Sequence, residues 1–404
     1  MTLSCASVRI YPRDGRFAAP DGFRSAVSLH SHSDRSRETL EFVPSLARSI
    51  PMVATLFART LAGYERQHGR ALDFAHCFWR PPLTPAAVVA SERHHLEQRL
   101  DRPALVSLTD HDTIEGPRTL RAGRTDMPLS VEWSVPFEKT VFHLGVHAIP
   151  PARVDEAERV FASYTARGEG DLGAVFDWLV ECPETFIVLN HPCWDMPGIG
   201  SLQHDSLVLT FLRRYRDRIH GLELNGYRSW NENRRVLPLA EGFGLPVVGG
   251  GDRHGLSPNT IVNLTAATCL GEFARDLRAG RSTSCVIFPE YLQPFAGRLL
   301  TGAAEWVTAV NESGAGRTWS DCVFATIDGA DIPLSAVWTR APGWVRTALG
   351  LTQLLGSNTI QRLYRLAEPG MQRAVQRDVS PEPTRGGAPF EMTLGPAAGV
   401  GDSF

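Results

Sequence analysis

The sequence predicts an α/β fold, with a seven-stranded barrel favoured over an open sheet. Three observations carry this: short apolar runs alternate with helix-like segments, there are seven such runs, and nearly all end in residues that bind metals. The runs cover 26–29, 104–108, 129–133, 141–146, 186–189, 221–224 and 245–248. They are brief and rich in Val, Ile and Leu, as strands covered on both faces are. Helix-like stretches lie at 85–100, 154–165, 172–180, 206–216 and 231–242. In the first, Ala87, Val88, Ala90, Leu96 and Leu100 form the apolar stripe, and Arg93, Glu97 and Arg99 the wet side. The alternation predicts a parallel sheet. Periodicity cannot show closure, so an open doubly wound sheet stays as the alternative.

A chain of 404 residues has length for one large domain with an appendage, or for two or three ordinary ones. With 43% apolar and 21% charged residues it reads as globular, and its net charge of -3 argues against a general nucleic-acid or membrane-surface binder. Lys139 is the only lysine, a bias that hides any signal from clustered arginines. Cysteines 5, 77, 182, 193, 269, 285 and 322 are scattered without a C-x-x-C pair, which predicts reduced thiols. The N-terminus has no secretory pattern and no stretch approaches the ~18 apolar residues of a spanning helix, so a cytoplasmic location is expected.

The ends of the runs carry the chemistry. His30-Ser31-His32 closes the first. If the strand continues, both imidazoles share a face about 6 to 7 Å apart and close on one ion. Thr109-Asp110-His111-Asp112 ends the second run; Glu132 ends the third and His143 lies in the fourth. Asn190-His191-Pro192 ends the fifth, Asn225 the sixth, and Gly249-Gly250-Gly251-Asp252-Arg253-His254 follows the last. In α/β barrels the active site forms where strands end and loops begin. Six histidines and two acids at such places predict a polynuclear metal site.

These residues bring the sequence close to a known family. L-H-S-H-S at 29–33, S-L-T-D-H-D-T-I-E-G at 107–116, S-V-E-W at 130–133 and F-H-L-G-V at 142–146 resemble the PHP (polymerase and histidinol phosphatase) superfamily. L-N-H-P at 189–192, G-L-E-L-N at 221–225 and V-V-G-G-G-D-R-H at 247–254 continue the likeness in the same order, over residues 25 to 285. The resemblance implies a distorted seven-stranded β/α barrel over residues 25–290; residues 41–80 are too many for a βα link and read as an insertion, either a lid or a surface elaboration. A helical C-terminal extension is expected at 291–377 and a disordered Pro- and Gly-rich tail at 378–404.

Carried over by position, the resemblance implies that His30 and His32 bind a first metal with Asp252. Glu132 would bridge to a second metal completed by His143 and His191, with His111 and His254 as ligands of a third where there is one. A carboxylate has two oxygens and can span two ions, which an imidazole cannot. The chain departs from the family after the H-x-H: Asp34 sits too near and Glu38 too far for the usual further ligand. Two divalent ions are therefore expected, with at most a weakly held third. Nitrogen and oxygen ligands suit Mn, Zn or Fe.

The resemblance further implies a metal-dependent phosphoesterase acting on a small phosphorylated metabolite or nucleotide through a metal-bridging hydroxide. His191, His254 and Asp252 are the expected catalytic residues, and Asn225 and Arg228 the expected substrate contacts; Arg253 is expected either to meet a substrate phosphate or to pair with an acid. Asp110 or Asp112 would support His111 or cap the next helix. His147, His94 and His95 are expected outside the site, and Cys193 is not expected to act as a nucleophile. A metal-dependent amide or ester hydrolase, or a non-catalytic metal-binding interaction module, are the alternatives. Oligomeric state is not readable.

Overall fold

The computed structural model describes residues 7–379 except 13, 14, 16, 42, 50, 169, 281, 282, 313–317 and 338–340. The strands are β1 (Ser7–Ile10), β2 (Ser25–Ser28), β3 (Glu38–Thr39), β4 (Cys77–Trp79), β5 (Ala104–Val106), β6 (Val131–Phe137) and β7 (Thr140–His147). They continue as β8 (Phe186–Leu189), β9 (Gly221–Asn225), β10 (Val247–Gly250), β11 (Ile261–Thr265), β12 (Ser284–Ile287), β13 (Val323–Ile327) and β14 (Ala330–Pro333). The helices used below are α1 (Pro51–His68), α2 (Pro85–Leu100), α3 (Glu115–Arg121), α4 (Val154–Arg167), α5 (Leu172–Val180), α6 (Ser201–Tyr215), α7 (Trp230–Phe243) and α8 (Phe295–Glu312). Helix Gly343–Leu355 and helix Asn358–Tyr364 follow, and helix Glu368–Val379 ends the described chain.

Each expected run and helix is present, within a few residues. Capping explains the sharpest starts: Thr84 accepts from the Ala87 amide ahead of Pro85 in α2, and Ser229 and Glu232 form a reciprocal capping box at α7. On α2 the inward face includes Glu92, while Ala90 is exposed. The apolar stripe therefore contains a buried carboxylate that periodicity did not predict.

Two five-stranded sheets run β1-β12-β11-β2-β5 and β10-β9-β8-β7-β6. The expectation of a parallel sheet needs correction. Pairs β2/β5, β8/β9 and β9/β10 are parallel, but β6/β7 and β7/β8 are antiparallel. Between Phe137 and Thr140 only two residues intervene, with Glu138 at a φ of 54°, and so short a link makes a hairpin rather than a crossover. The two sheets meet at isolated parallel bridges, Ser31 to Arg253 and His111 to Glu132. They also meet where buried Asn263 of β11 bonds both the amide and the carbonyl of Gly249, each at 2.7 Å. Around β6 the core packs Trp133 against Phe161 of α4 and Phe176 of α5.

A third sheet, β14-β13-β4-β3, joins the two regions outside the alternation. The chain after residue 290 is thus not purely helical, since its β13–β14 hairpin pairs with β4. Phe78 of β4 stacks on Phe324 of β13. Of the expected tail at 378–404, Asp378 and Val379 end a helix and the remainder lies outside the described residues. No described helix is long and apolar enough to cross a membrane.

Candidate metal centre

Three residues that follow strand ends leave the extended conformation sharply. His30, His191 and Asp252 have φ of 64°, 29° and 56°, in the left-handed region that side chains with a Cβ rarely adopt. Such backbone costs on the order of 1–3 kcal/mol at each residue and persists where the surroundings over-determine it. The two imidazoles of the H-x-H therefore do not share a strand face. A turn at His30, past the end of β2, brings their rings together, centroids 5.1 Å apart. The glycines before Asp252 have a packing reason: a Cβ on Gly250 would collide with Glu223, and one on Gly251 with Asn259.

Around fully buried Glu132 three groups of potential ligand atoms converge: His30, His32, Glu132 and Asp252; His111, Glu132 and His143; and His32, Glu38, His111 and His254. Glu132 Oε2 lies 2.9 Å from His30 Nε2, 3.3 Å from His32 Nε2 and 3.1 Å from His111 Nε2. Its Oε1 faces His143 Nδ1 at 3.4 Å and His191 Nε2 at 3.2 Å. Asp252 Oδ1 stands 3.4 Å from both His30 Nε2 and His32 Nε2. Nε2 of His30 and His32, Nδ1 of His143 and Oε2 of Glu132 are buried without a hydrogen-bond partner. Lone buried polar atoms are costly, and a divalent cation among them satisfies several at once. The donor set fits a nitrogen- and oxygen-liganded ion.

The electrostatics point the same way. Burial alone pushes Glu132 up, yet His111, His30 and His143 hold its carboxyl well below the usual range. Asp252 behaves alike, with burial opposed by His30 and His254. Burial disfavours a charged His32, but Glu38 and its other acidic neighbours raise it to about 10. A buried cluster of carboxylates is here calling for positive charge, which ions supply in exchange for protons.

Further residues fix the ligands. Glu223 Oε1 lies 2.6 Å from His30 Nδ1, which turns the other ring nitrogen inward, and Oε2 accepts the His191 amide at 2.8 Å. Asn190 Nδ2 donates to Glu132 Oε1 at 2.9 Å. His254 Nδ1 is 2.8 Å from the Asp252 carbonyl, leaving Nε2 3.0 Å from Glu38 Oε2. Glu223 left a sequence signal, a charge amid the apolar β9, which the family pattern did not single out. Glu38, which the spacing set aside, is brought in by the pairing of β3 with β4.

The other seven expected ligands gather with Glu132, but the residues expected to face substrate divide. Arg253 points into the protein: Nη1 meets buried Glu92 at 2.7 Å, Nη2 the Leu256 carbonyl and Nε the Gly255 carbonyl. Each of its three guanidinium nitrogens is thus engaged within the protein, and of the two expected roles the pairing with an acid is the one seen. Asn225 is also turned inward, donating to Glu223 and to Asp252 Oδ2 at 3.1 Å. Arg228 alone remains at the rim, its guanidinium 3.5 Å above the Trp194 ring and 3.9 Å from Asp252 Oδ2, with Nε unpartnered. Asp110 accepts from the Ser33 amide and hydroxyl, and Asp112 from the Ser134 amide, so neither caps the helix after His111. His147 is a core residue beside Ser107 and Phe186, and burial pushes the Cys193 thiol up to about 12.

No protein-family model and no curated protein matches the chain. Similar solved structures include an amidohydrolase from Chromobacterium violaceum with bound sulfate and no metal, at 19% identity and a TM-score of 0.33. That match covers 56% of this chain and 87% of the other. A second, described as a metal-dependent phosphoesterase from Bifidobacterium adolescentis, has 14% identity and a TM-score of 0.32, over 65% of this chain and 98% of its own. Both likenesses are remote.

Proposed function

We propose that this chain is a metal-dependent phosphoesterase of the PHP type, acting on a small phosphorylated metabolite or nucleotide. The observation that carries the reading is one buried carboxylate, Glu132, within reach of His30, His32, His111, His143 and His191. The bridges from Ser31 to Arg253 and from His111 to Glu132 support joining β2, β5, β6, β7, β8, β9 and β10 into one distorted barrel over residues 25–290.

Bound in this cluster, divalent ions would activate water and neutralise charge developing on phosphate oxygens. His30 and His32, with Asp252, would hold one ion; Glu132, His143 and His191 a second; and Glu38, His111 and His254 a third. Arg228, whose guanidinium lies 3.9 Å from Asp252 Oδ2 with a buried, unpartnered Nε, favours phosphate over an amide, since a guanidinium matches phosphate oxygens with parallel donors. Where an ion leaves His191 or His254 a free ring nitrogen, that residue would pass a proton to the leaving oxygen.

Chelator-stripped protein reloaded with Mn, Zn or Fe is offered phosphate monoesters beside acyl amides and carboxyl esters of matched size. The reading expects release from the phosphate esters, and a kcat/KM lowered at least tenfold by Arg228→Ala. Turnover of amides or esters, with phosphate esters untouched, would reassign the reaction.

A further inference from the structure

We infer that the C-terminal region is a positioning element for one of the three ligand clusters, so that the ion at Glu38, His111 and His254 depends on a cap that the other two positions do not need. The inference rests on the metal reading above.

Glu38 sits on a strand of two residues, too short to hold itself. Its place comes from the third sheet: Glu38 pairs with Trp79 of β4, and Trp79 pairs with Val323 of β13. Next to Glu38, Arg37 straps β3 to the C-terminal hairpin, with Nη2 2.9 Å from Asp331 Oδ1 and 3.2 Å from Thr326 Oγ1. The same guanidinium lies 4.1 Å over Phe78, which stacks on Phe324. Across the cluster, Glu305 of α8 accepts the amides of Leu256 and Ser257, just after His254. Its neighbour Trp306 packs on Trp79 and donates to the Arg80 carbonyl at 2.9 Å, while Trp79 lies beside His254. Residues beyond 290 thus hold both the Glu38 strand and the His254 loop.

The other two clusters hang differently. His30, Glu132, His143 and Asp252 belong to barrel strands or the loops just after them, and their supports Glu223, Asn190, Asn225 and Asn259 all precede residue 290. An ion at the Glu38 cluster is therefore the one most readily lost when the cap loosens.

The test counts ions by mass spectrometry on full-length protein, gel-filtered after equilibration with Mn, beside circular dichroism. Wild type should carry three equivalents, one per cluster. Glu38→Gln, Ala325→Pro and Glu305→Gln should each carry one fewer, and combining Glu38→Gln with Ala325→Pro should remove no more than either alone. Phe324→Ala, which loosens β13 without removing an amide, should weaken the last equivalent only. A full count in Ala325→Pro, Phe324→Ala and Glu305→Gln overturns the inference and leaves the metal reading standing. A wild-type count of two, or loss of every ion from both β13 variants, also overturns it. A wild type that binds none overturns the metal reading as well.

Discussion

Glu223 Oε1 lies 2.6 Å from His30 Nδ1, and both residues are buried. One carboxylate thereby sets which nitrogen of a candidate metal ligand faces the cluster, and its second oxygen fixes the His191 amide. Glu223→Gln keeps the shape but weakens the charge-assisted contact. Losing such a support costs about 10–100-fold in metal affinity. Competition against a chromogenic chelator should show a drop in that range with the circular dichroism spectrum unchanged; wild-type affinity would remove Glu223 from the account.

Arg253 and Glu92 form a buried ion pair that also takes the Asn259 amide and the Ser28 hydroxyl. Removing one partner strands a charge, so Glu92→Ala should cost about 3–5 kcal/mol by denaturant unfolding. The double variant Glu92→Met with Arg253→Met should unfold at a higher denaturant concentration than Glu92→Ala alone. The reverse order would mean that the polar network outweighs the stranded charge.

Acid should destabilise the fold through two histidines outside the clusters. Burial pushes both His147 and His220 from 6.5 down to about 3. Between those values the unfolded chain takes up protons that the folded one refuses. Their contribution is therefore complete above pH 6.5 and lost as pH falls towards 3. In chelator, the wild-type urea midpoint should fall from about pH 7 to about pH 4.5, and fall less in His220→Gln. Parallel pH profiles would contradict a neutral buried His220.

The candidate ligand set was legible because its chemistry resides in residue types at run ends, and the seven other positions read there lie close to Glu132 or to one another. The rest depended on partners remote in sequence. Glu38 is brought in by a strand pairing that runs through β4 to β13. Arg253 lies between two expected ligands, and only Glu92 on the inward face of α2 shows that it points away from them. The parallel sheet failed at a two-residue link between runs, because apolar alternation carries no strand direction.

The claim of a metal-dependent phosphoesterase is tested most directly by phosphate release from a panel of mononucleotides and sugar phosphates. Stripped protein would be compared with protein reloaded with Mn, Zn or Fe, with Asp252→Asn in parallel. The account predicts release that returns with metal and is lost in Asp252→Asn. Metal bound in stoichiometric amount, with no phosphate released from any ester, would contradict it.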